Sequence, residues 1–361
     1  MQRVLVTGGA GFIGSAFVRH LLCADTGLRI VVLDALTYAG NPANLAGLGS
    51  SGALRCVHGD IADRALVESL LHEERIDTVV NFAAESHVDR SIRDPGVFVS
   101  TNVGGTLALL EAARAVWRAE GESRRFHHVS TDEVYGSLGA HDAPFDEQSR
   151  YAPSSPYAAS KAAADHLVRA CGKTYGLAVT LSQSGNNYGP RQFPEKLIPL
   201  CIVHSLLGRT LPIYGDGAYR RGWLHVDDHC RALASALGRG RPGETYCFGA
   251  TQEIDNVTLV TRLCAEIDRC FAADPALAAR FPDAPAAHGR ESATAIMRVA
   301  DRPAHDRRYA LDSGKARREL DYDPGRSLDR GLADTVRWYI DNDGWWRPVL
   351  DGSYRHAAFG A

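Results

Sequence analysis

The chain has 361 residues, 45% hydrophobic and 23% charged, with a formal net charge of -3. That length holds one large α/β domain with a substantial appendage, and the near-neutral charge leaves no electrostatic footprint for nucleic acid as a partner. Eight cysteines without C-x-x-C spacing read as reduced thiols, no metal site is expected, and no apolar run reaches bilayer-spanning length; a soluble, cytoplasmic chain is expected.

The first half alternates short β-rich runs with stretches of helical spacing. "RVLVTGG" (3–9) opens, followed by a helical stretch over Ala16 to Leu22, then "RIVVLDA" (29–35), "LRCVHGD" (54–60) and a second helix over Ala65 to Leu71. "DTVVNFA" (77–83), a helix over Thr106 to Ala115, "FHHVSTD" (126–132) and "LAVTLSQ" (177–183) continue the pattern. Apolar strands separated by helices imply a parallel sheet covered on both faces, the Rossmann-like doubly wound arrangement. The spacing predicts a dinucleotide-binding domain over 1–188, with further segments returning from 222–250, and a smaller, mainly substrate-binding region over 189–361. From about residue 190, segments rich in Pro, Gly, Tyr and Trp predict loops and short strands, and residues 272–295 predict a loop or partly ordered insertion.

"TGGAGFIG" places Gly9, Gly11 and Gly14 in G-x-G-x-x-G spacing, and Gly8, Gly11 and Gly14 at three-residue intervals, between a strand and a helix. Such glycines let a backbone turn tightly and a helix N-terminus face a pyrophosphate. Asp34 ends the next apolar strand, where a carboxylate accepts from ribose hydroxyls and repels a 2′-phosphate, favouring NAD over NADP.

"STDEVYG" sets two adjacent acids, Asp132 and Glu133, at a strand end. In an extended chain they would point to opposite faces, so a turn is needed for both to reach one ligand. "SSPYAASK" then puts Tyr157 and Lys161 four residues apart on one helix face, with Pro156 at the helix start. Lysine is scarce here: only Lys161, Lys173, Lys196 and Lys315 occur. An ammonium beside a phenol lowers its pKa and prepares a general base.

Taken with "AAESHVDRSI", "NNYGP", "FPEKLIPL", "LPIYGDG", "WLHVDDHCRAL" and "DRPAHDRRYALD", these motifs make the chain resemble an extended short-chain dehydrogenase/reductase nearly end to end. The closest likeness is to the nucleoside-diphosphate-glucose 4,6-dehydratases, with dTDP-glucose as the nearest substrate. The resemblance implies bound NAD, a nucleotide-sugar substrate and a homodimer. It also assigns roles. Tyr157 removes the proton of the sugar 4-hydroxyl as hydride leaves C4 for NAD, Glu133 takes the C5 proton, protonated Asp132 serves the departing 6-hydroxyl, and hydride returns to C6. Thr131 bonds the 4-oxygen, and Lys161 holds the ribose and poises the tyrosine.

By the same resemblance the cofactor is held by Gly8, Gly11, Phe12, Ile13 and Gly14, by Asp34, Leu36 and Thr37, and by Asp60 and Ile61 near the adenine. Phe82, Ala83, Ala84, Ser86, Thr101 and Asn187 form its wall. Ser86, His87, Thr131, Asn186, Glu195, Lys196 and Leu197 fall where the family contacts the nucleotide sugar. Pro212, Tyr214, Arg221, Asn256, Arg302 and His305 complete that set, with Lys196 and the arginines as diphosphate clamps. His87 and His305 read equally as packing histidines.

The chain departs from the pattern at Gln183 and Gly185, where Arg and Ser are usual, at Gly222, where an acid usually follows the arginine, and around "CFGATQEIDNVT". These lie toward the substrate side and leave thymidine against uridine open. A UDP-sugar dehydratase, 4-epimerase or decarboxylase is the alternative enzyme, and an NAD-sensing regulator the alternative class; the intact Tyr157 and Lys161 pair opposes the latter.

Overall fold

The computed structural model describes residues 1–24, 27–48, 52–117, 124–356 and 359. Apolar runs at the start of the chain form β1 (Arg3–Thr7), β2 (Arg29–Asp34), β3 (Leu54–His58), β4 (Thr78–Asn81), β5 (Arg125–Thr131) and β6 (Val179–Ser184). The short strands β7 (Asn186–Tyr188), β8 (Leu211–Tyr214) and β9 (Arg220–His225) leave that sheet, and β10 (Thr245–Phe248) rejoins it. The result is a seven-stranded sheet in the order β10-β6-β5-β4-β1-β2-β3. Every pairing in it is parallel. Because β1 sits between β2 and β4, the strand order reverses there and opens a crevice at the carboxyl ends of the strands, where doubly wound sheets bind ligands.

Helices cover both faces. α1 (Phe12–Ala24) and the later helix Val226–Arg239 pack on one face with Val4, Val6, Phe17, Val32 and Leu233. α2 (Arg64–Glu73) packs on the other with Leu5, Val31, Leu70, Leu109 and Val179. The helix Pro156–Tyr175 crosses beneath the carboxyl end of β5, begun by Ser155, whose hydroxyl accepts from the Ala158 amide at 3.1 Å, and by Pro156 in its first turn.

Three expectations need correction. Helical segments run without a break over Pro95–Trp117, long and apolar enough in composition to cross a bilayer. Its inner face is occupied, since Phe98, Leu109, Leu110, Ala112, Ala113 and Trp117 are buried in the protein. Second, "KLIPL" is not loop: Leu197–Leu206 is a helix whose Ile198, Cys201, Ile202 and Leu206 join the C-terminal core. Third, residues 272–295 are packed rather than loose. They contain a helical turn, Ala276–Arg280, and two 3-10 turns, and Leu277, Phe281 and Ala284 sit in the core built around the helices Asn256–Ala273 and Leu328–Asp341. Their bias toward Ala and Pro reflects tight turns around one aromatic anchor, Phe281, which stacks on buried Trp346.

Phe281 is 1% exposed. Phe281→Ala should therefore cost about 3–5 kcal/mol, the usual range for emptying a core aromatic position, read as a lowered midpoint in urea. A loss under about 0.5 kcal/mol, as for a surface residue, would show the segment to be an appendage.

Candidate active site

At the carboxyl end of the sheet lies a cleft of about 340 Å³, lined by the β1 turn, the ends of β2, β4 and β5, and residues 184–196. Its floor is the glycine turn. Gly8 has φ +66°, and a Cβ there would lie 2.7 Å from the Ala83 amide nitrogen. A Cβ on Gly14 would lie 2.3 Å from the Gly8 carbonyl oxygen, so α1 can approach this closely only without side chains. Asp34 ends β2 with its carboxylate fixed by two backbone donors, the Ala10 amide at 2.8 Å and the Leu36 amide at 2.8 Å. Burial raises its pKa against those hydrogen bonds.

The cleft brings together Gly8, Gly11, Phe12, Ile13, Gly14, Asp34, Thr37, Asp60, Ile61, Phe82, Ala83, Ala84, Ser86, Thr101 and Asn187, as the sequence predicted for a dinucleotide. Leu36 is not in the lining; its backbone, at φ 50°, serves to turn an amide onto Asp34. The cradle of side-chain-free backbone, closed at the ribose end by a carboxylate, fits an NAD dinucleotide.

The other half of the cleft holds Thr131, Glu133, Tyr157, Lys161, Asn186, Glu195 and Lys196. β5 stops at Thr131, whose hydroxyl accepts from the Glu133 amide at 3.3 Å and caps a 3-10 turn over Asp132–Tyr135. That turn answers the problem of adjacent acids. Glu133 faces the cleft, and Asp132 is buried beside it, off the lining, with its carboxyl near Gly185 and the Thr131 hydroxyl 3.4 Å from its Oδ1. Burial, then the Glu133 charge, pushes the Asp132 carboxyl up to about 8, with Arg221 opposing. Glu133 is also raised by burial, but Arg302, Lys196 and Arg221 hold it down. One turn thus gives two adjacent acids different electrostatic surroundings.

Tyr157 is buried and packs edge-on to Phe98 at 6.3 Å. The expectation that Lys161 lowers its pKa is not met. Burial and the Glu133 charge raise the phenol, with the Thr131 hydroxyl opposing. Lys161 is turned toward the Val129 carbonyl, 2.8 Å away, and burial lowers its own pKa to about 8.

On the substrate side, Lys196 donates to the Ser86 carbonyl at 3.2 Å, and Glu195 accepts from the Tyr38 hydroxyl at 2.9 Å. Several predicted contacts stand around the cleft rather than in its lining: His87, Leu197, Pro212, Tyr214, Arg221, Asn256, Arg302 and His305. Each has a structural reason. His87 caps the helix Val88–Arg93 and lies 3.7 Å from Glu195, with burial lowering its pKa to about 4. Arg221 donates to the carbonyls of Arg220, Asp306 and Arg307 while stacked 4.2 Å over Tyr309. His305 stacks 3.6 Å from Tyr219 and meets Asp301 at 2.7 Å. Tyr214 and Arg302 both reach Asp89, at 3.3 and 3.6 Å. Leu197 opens its helix, Pro212 lies within β8, and Asn256 starts the helix Asn256–Ala273 with a buried amide oxygen lacking a partner. That oxygen and the buried, unpartnered Arg302 Nε are capacity for a polar ligand at this end.

Sequence reasoning missed Asp89, which ties the 300–307 segment to the cleft rim, and Asp165 and His128 behind Lys161. For Asp165 a signal existed, since it lies four residues beyond Lys161 on the same helix face.

Residues 5–335 match the family described as GDP-mannose 4,6 dehydratase. A dTDP-glucose 4,6-dehydratase of Xanthomonas campestris pv. campestris (strain B100) is 52% identical over 365 residues, covering 100% of this chain and 99% of the relative. The crystal structure of a double mutant of DesIV, a dTDP-glucose 4,6-dehydratase from Streptomyces venezuelae with NAD bound, aligns with a TM-score of 0.85 at 47% identity over 97% of this chain and 100% of that one. The UDP-glucose 4-epimerase of Thermotoga maritima aligns with a TM-score of 0.80 at only 28% identity, over 94% and 99% of the two chains.

Proposed function

The chain belongs to the GDP-mannose 4,6 dehydratase family, and from that premise we propose that it is an NAD-dependent nucleotide-sugar dehydratase that converts dTDP-glucose to the 4-keto-6-deoxy sugar. The observation that carries this reading is the turn that puts Glu133 in the cleft with Tyr157 and Lys161 and buries Asp132 directly behind it. An epimerase needs only the second pair. Full-length relatives at this level of identity support thymidine over uridine.

NAD, when bound, supplies the hydride acceptor at C4 and donor at C6. The chain supplies everything else. Tyr157 takes the O4 proton, with Thr131 oriented on the same oxygen. Glu133 removes the C5 proton made acidic by the 4-ketone; burial raises its pKa, and Arg302, Lys196 and Arg221 oppose that rise and favour its basic form. Asp132 gives its proton to the leaving 6-hydroxyl. Burial raises the Tyr157 phenol, and a positive charge brought beside it, such as the Lys161 ammonium, favours the phenolate that acts as base. Loss of water across C5 and C6 makes the enzyme a lyase. Residues 1–188 with the returning strand β10 hold the cofactor, and 189–361 mainly hold the sugar nucleotide.

All eight cysteines are free, which supports a reducing, cytoplasmic setting. Val97, Val99 and Leu107 are exposed along Pro95–Trp117, beside a groove that runs through Leu110, Leu167 and Leu177 to Tyr175. This apolar face supports a homodimer.

Incubation with dTDP-glucose is expected to yield a 4-keto-6-deoxy product with no net NADH, because the cycle is redox-neutral. Steady NADH accumulation, or turnover of UDP-glucose alone, contradicts the reading. The acid form of Asp132 exists below about 8, so the elimination rate should fall as pH rises through that value. Asp132→Asn should remove this limb and slow the natural substrate by about 10²–10⁴, yet spare a 6-fluoro analogue whose leaving group needs no full protonation; equal slowing of both would make Asp132 a positioning group. Leu107→Glu should convert the dimer to monomer in sedimentation analysis, and an unchanged sedimentation coefficient would place the interface elsewhere.

A further inference from the structure

Behind the cleft, Asp165 is a carboxylate with no exposed surface. Its Oδ2 accepts from the Ser130 hydroxyl at 2.9 Å, the Tyr151 hydroxyl at 2.7 Å and the Gln183 amide at 3.2 Å. Its Oδ1 has no hydrogen-bond partner and faces His128 Nε2 at 3.5 Å. The same imidazole nitrogen lies 3.4 Å from Lys161 Nζ, and the other ring nitrogen is 3.1 Å from the Asn81 amide. Asn81 in turn accepts from Thr7 at 2.6 Å, at the end of the strand that carries the glycine turn. A polar chain therefore crosses the sheet from Tyr151 to the cofactor cradle, and Lys161 is its only member that lines the catalytic half of the cleft besides Ser130.

This arrangement has a physical consequence. A fully buried ammonium loses most of its hydration, and burial favours its neutral form. A neutral Lys161 could neither hold ribose hydroxyls as a charged donor nor favour a Tyr157 phenolate. The compensating charge has to come from a carboxylate; burial raises the pKa of Asp165, and the Lys161 charge and the hydrogen bonds of Tyr151 and Ser130 oppose that rise, with Gln183 a third donor on the same oxygen. Ionised groups facing Asp165 are Lys161 and Arg169 from its own helix; His128 from β5 is kept neutral by burial, and Tyr151 comes from the preceding loop. Gln183 from β6 and Asn81 from β4 add neutral dipoles. Gln183, one of the departures from the family pattern, thus has a defined task as a donor to this carboxylate.

We propose that Asp165 is the positioning residue for Lys161: its buried carboxylate, locked by Ser130, Tyr151 and Gln183, keeps the Lys161 ammonium charged at the end of β5 facing the cofactor, with the neutral His128 ring packed between the two. The proposal rests on the reading of Lys161 as the ribose and phenolate partner. Asp165 itself touches no reacting atom.

Removing the carboxylate lets Lys161 lose its proton at lower pH, so function is lost earlier on the alkaline side. Removing one donor from the carboxylate makes it easier to protonate, so function is lost earlier on the acid side. Asp165→Asn should move the alkaline limb of kcat/KM for dTDP-glucose down by about one pH unit or more. Ser130→Ala should move the acid limb up by about one unit, the size of one lost charge-assisted hydrogen bond. Asp165→Glu, which keeps the charge, should leave the alkaline limb within about half a unit of wild type whatever its kcat. NAD retained per chain after gel filtration gives a readout that needs no turnover: for Asp165→Asn it should fall over the same pH range in which the limb moves. If Asp165→Asn loses activity with both limbs and pH-dependent NAD retention unchanged, Asp165 is only structural and the proposal is overturned. If Asp165→Asn does not fold, an unmoved acid limb in Ser130→Ala overturns it alone. Absence of any dehydrated product in wild type would instead defeat the functional reading, leaving the NAD retention comparison intact.

Discussion

Two carboxyl groups on adjacent residues, folded into one 3-10 turn and shielded from water, cannot both ionise without a large electrostatic cost. The rest of the cleft is arranged around that constraint. Thr131 ends β5 and caps the turn, so the strand's last hydroxyl sits between the phenol of Tyr157 and the carboxyl of Asp132. Burial raises both carboxyls; Arg302, Lys196 and Arg221 oppose it at Glu133, whereas at Asp132 the Glu133 charge adds to burial and Arg221 opposes. In the proposed mechanism, an acid and a base come from nearly identical side chains because the protein surrounds them differently.

The same logic of buried charge runs through the cofactor half. Asp34 and Asp165 are both carboxylates that burial would neutralise, and both are stabilised by donors: backbone amides for Asp34, side chains for Asp165. The doubly wound sheet makes this possible, since its crossing order brings β1, β4, β5 and β6 side by side and lets residues far apart in sequence share one hydrogen-bonded layer.

Much of this was legible from local patterns. The glycine turn, Asp34 at the end of β2, and the Tyr157 and Lys161 pair depend on spacings of a few residues, which sequence states directly. What depends on long-range placement was not legible. The packing of 272–295 is decided by Phe281 meeting Trp346, a pairing no window of sequence contains. The apolar composition of Pro95–Trp117 is scattered enough in sequence to hide a continuous helix. The i, i+4 spacing showed that Tyr157 and Lys161 share a face, but not that the Val129 carbonyl draws the ammonium aside and leaves burial to dominate the phenol. Sequence left His305 open between ligand contact and packing, and gave Arg221 as a diphosphate clamp; stacking on Tyr219 and bonds to backbone carbonyls are long-range facts that no window contains.

The proposed mechanism requires that Asp132 hold a proton beside an ionised Glu133 at neutral pH. Infrared difference spectroscopy on the NAD-loaded enzyme at pH 7 measures this directly, comparing wild type with Asp132→Asn and Glu133→Gln. The account predicts that the protonated-carboxyl C=O band disappears in Asp132→Asn and survives in Glu133→Gln. A band that instead vanishes only in Glu133→Gln, or no protonated carboxyl attributable to either residue, would contradict it.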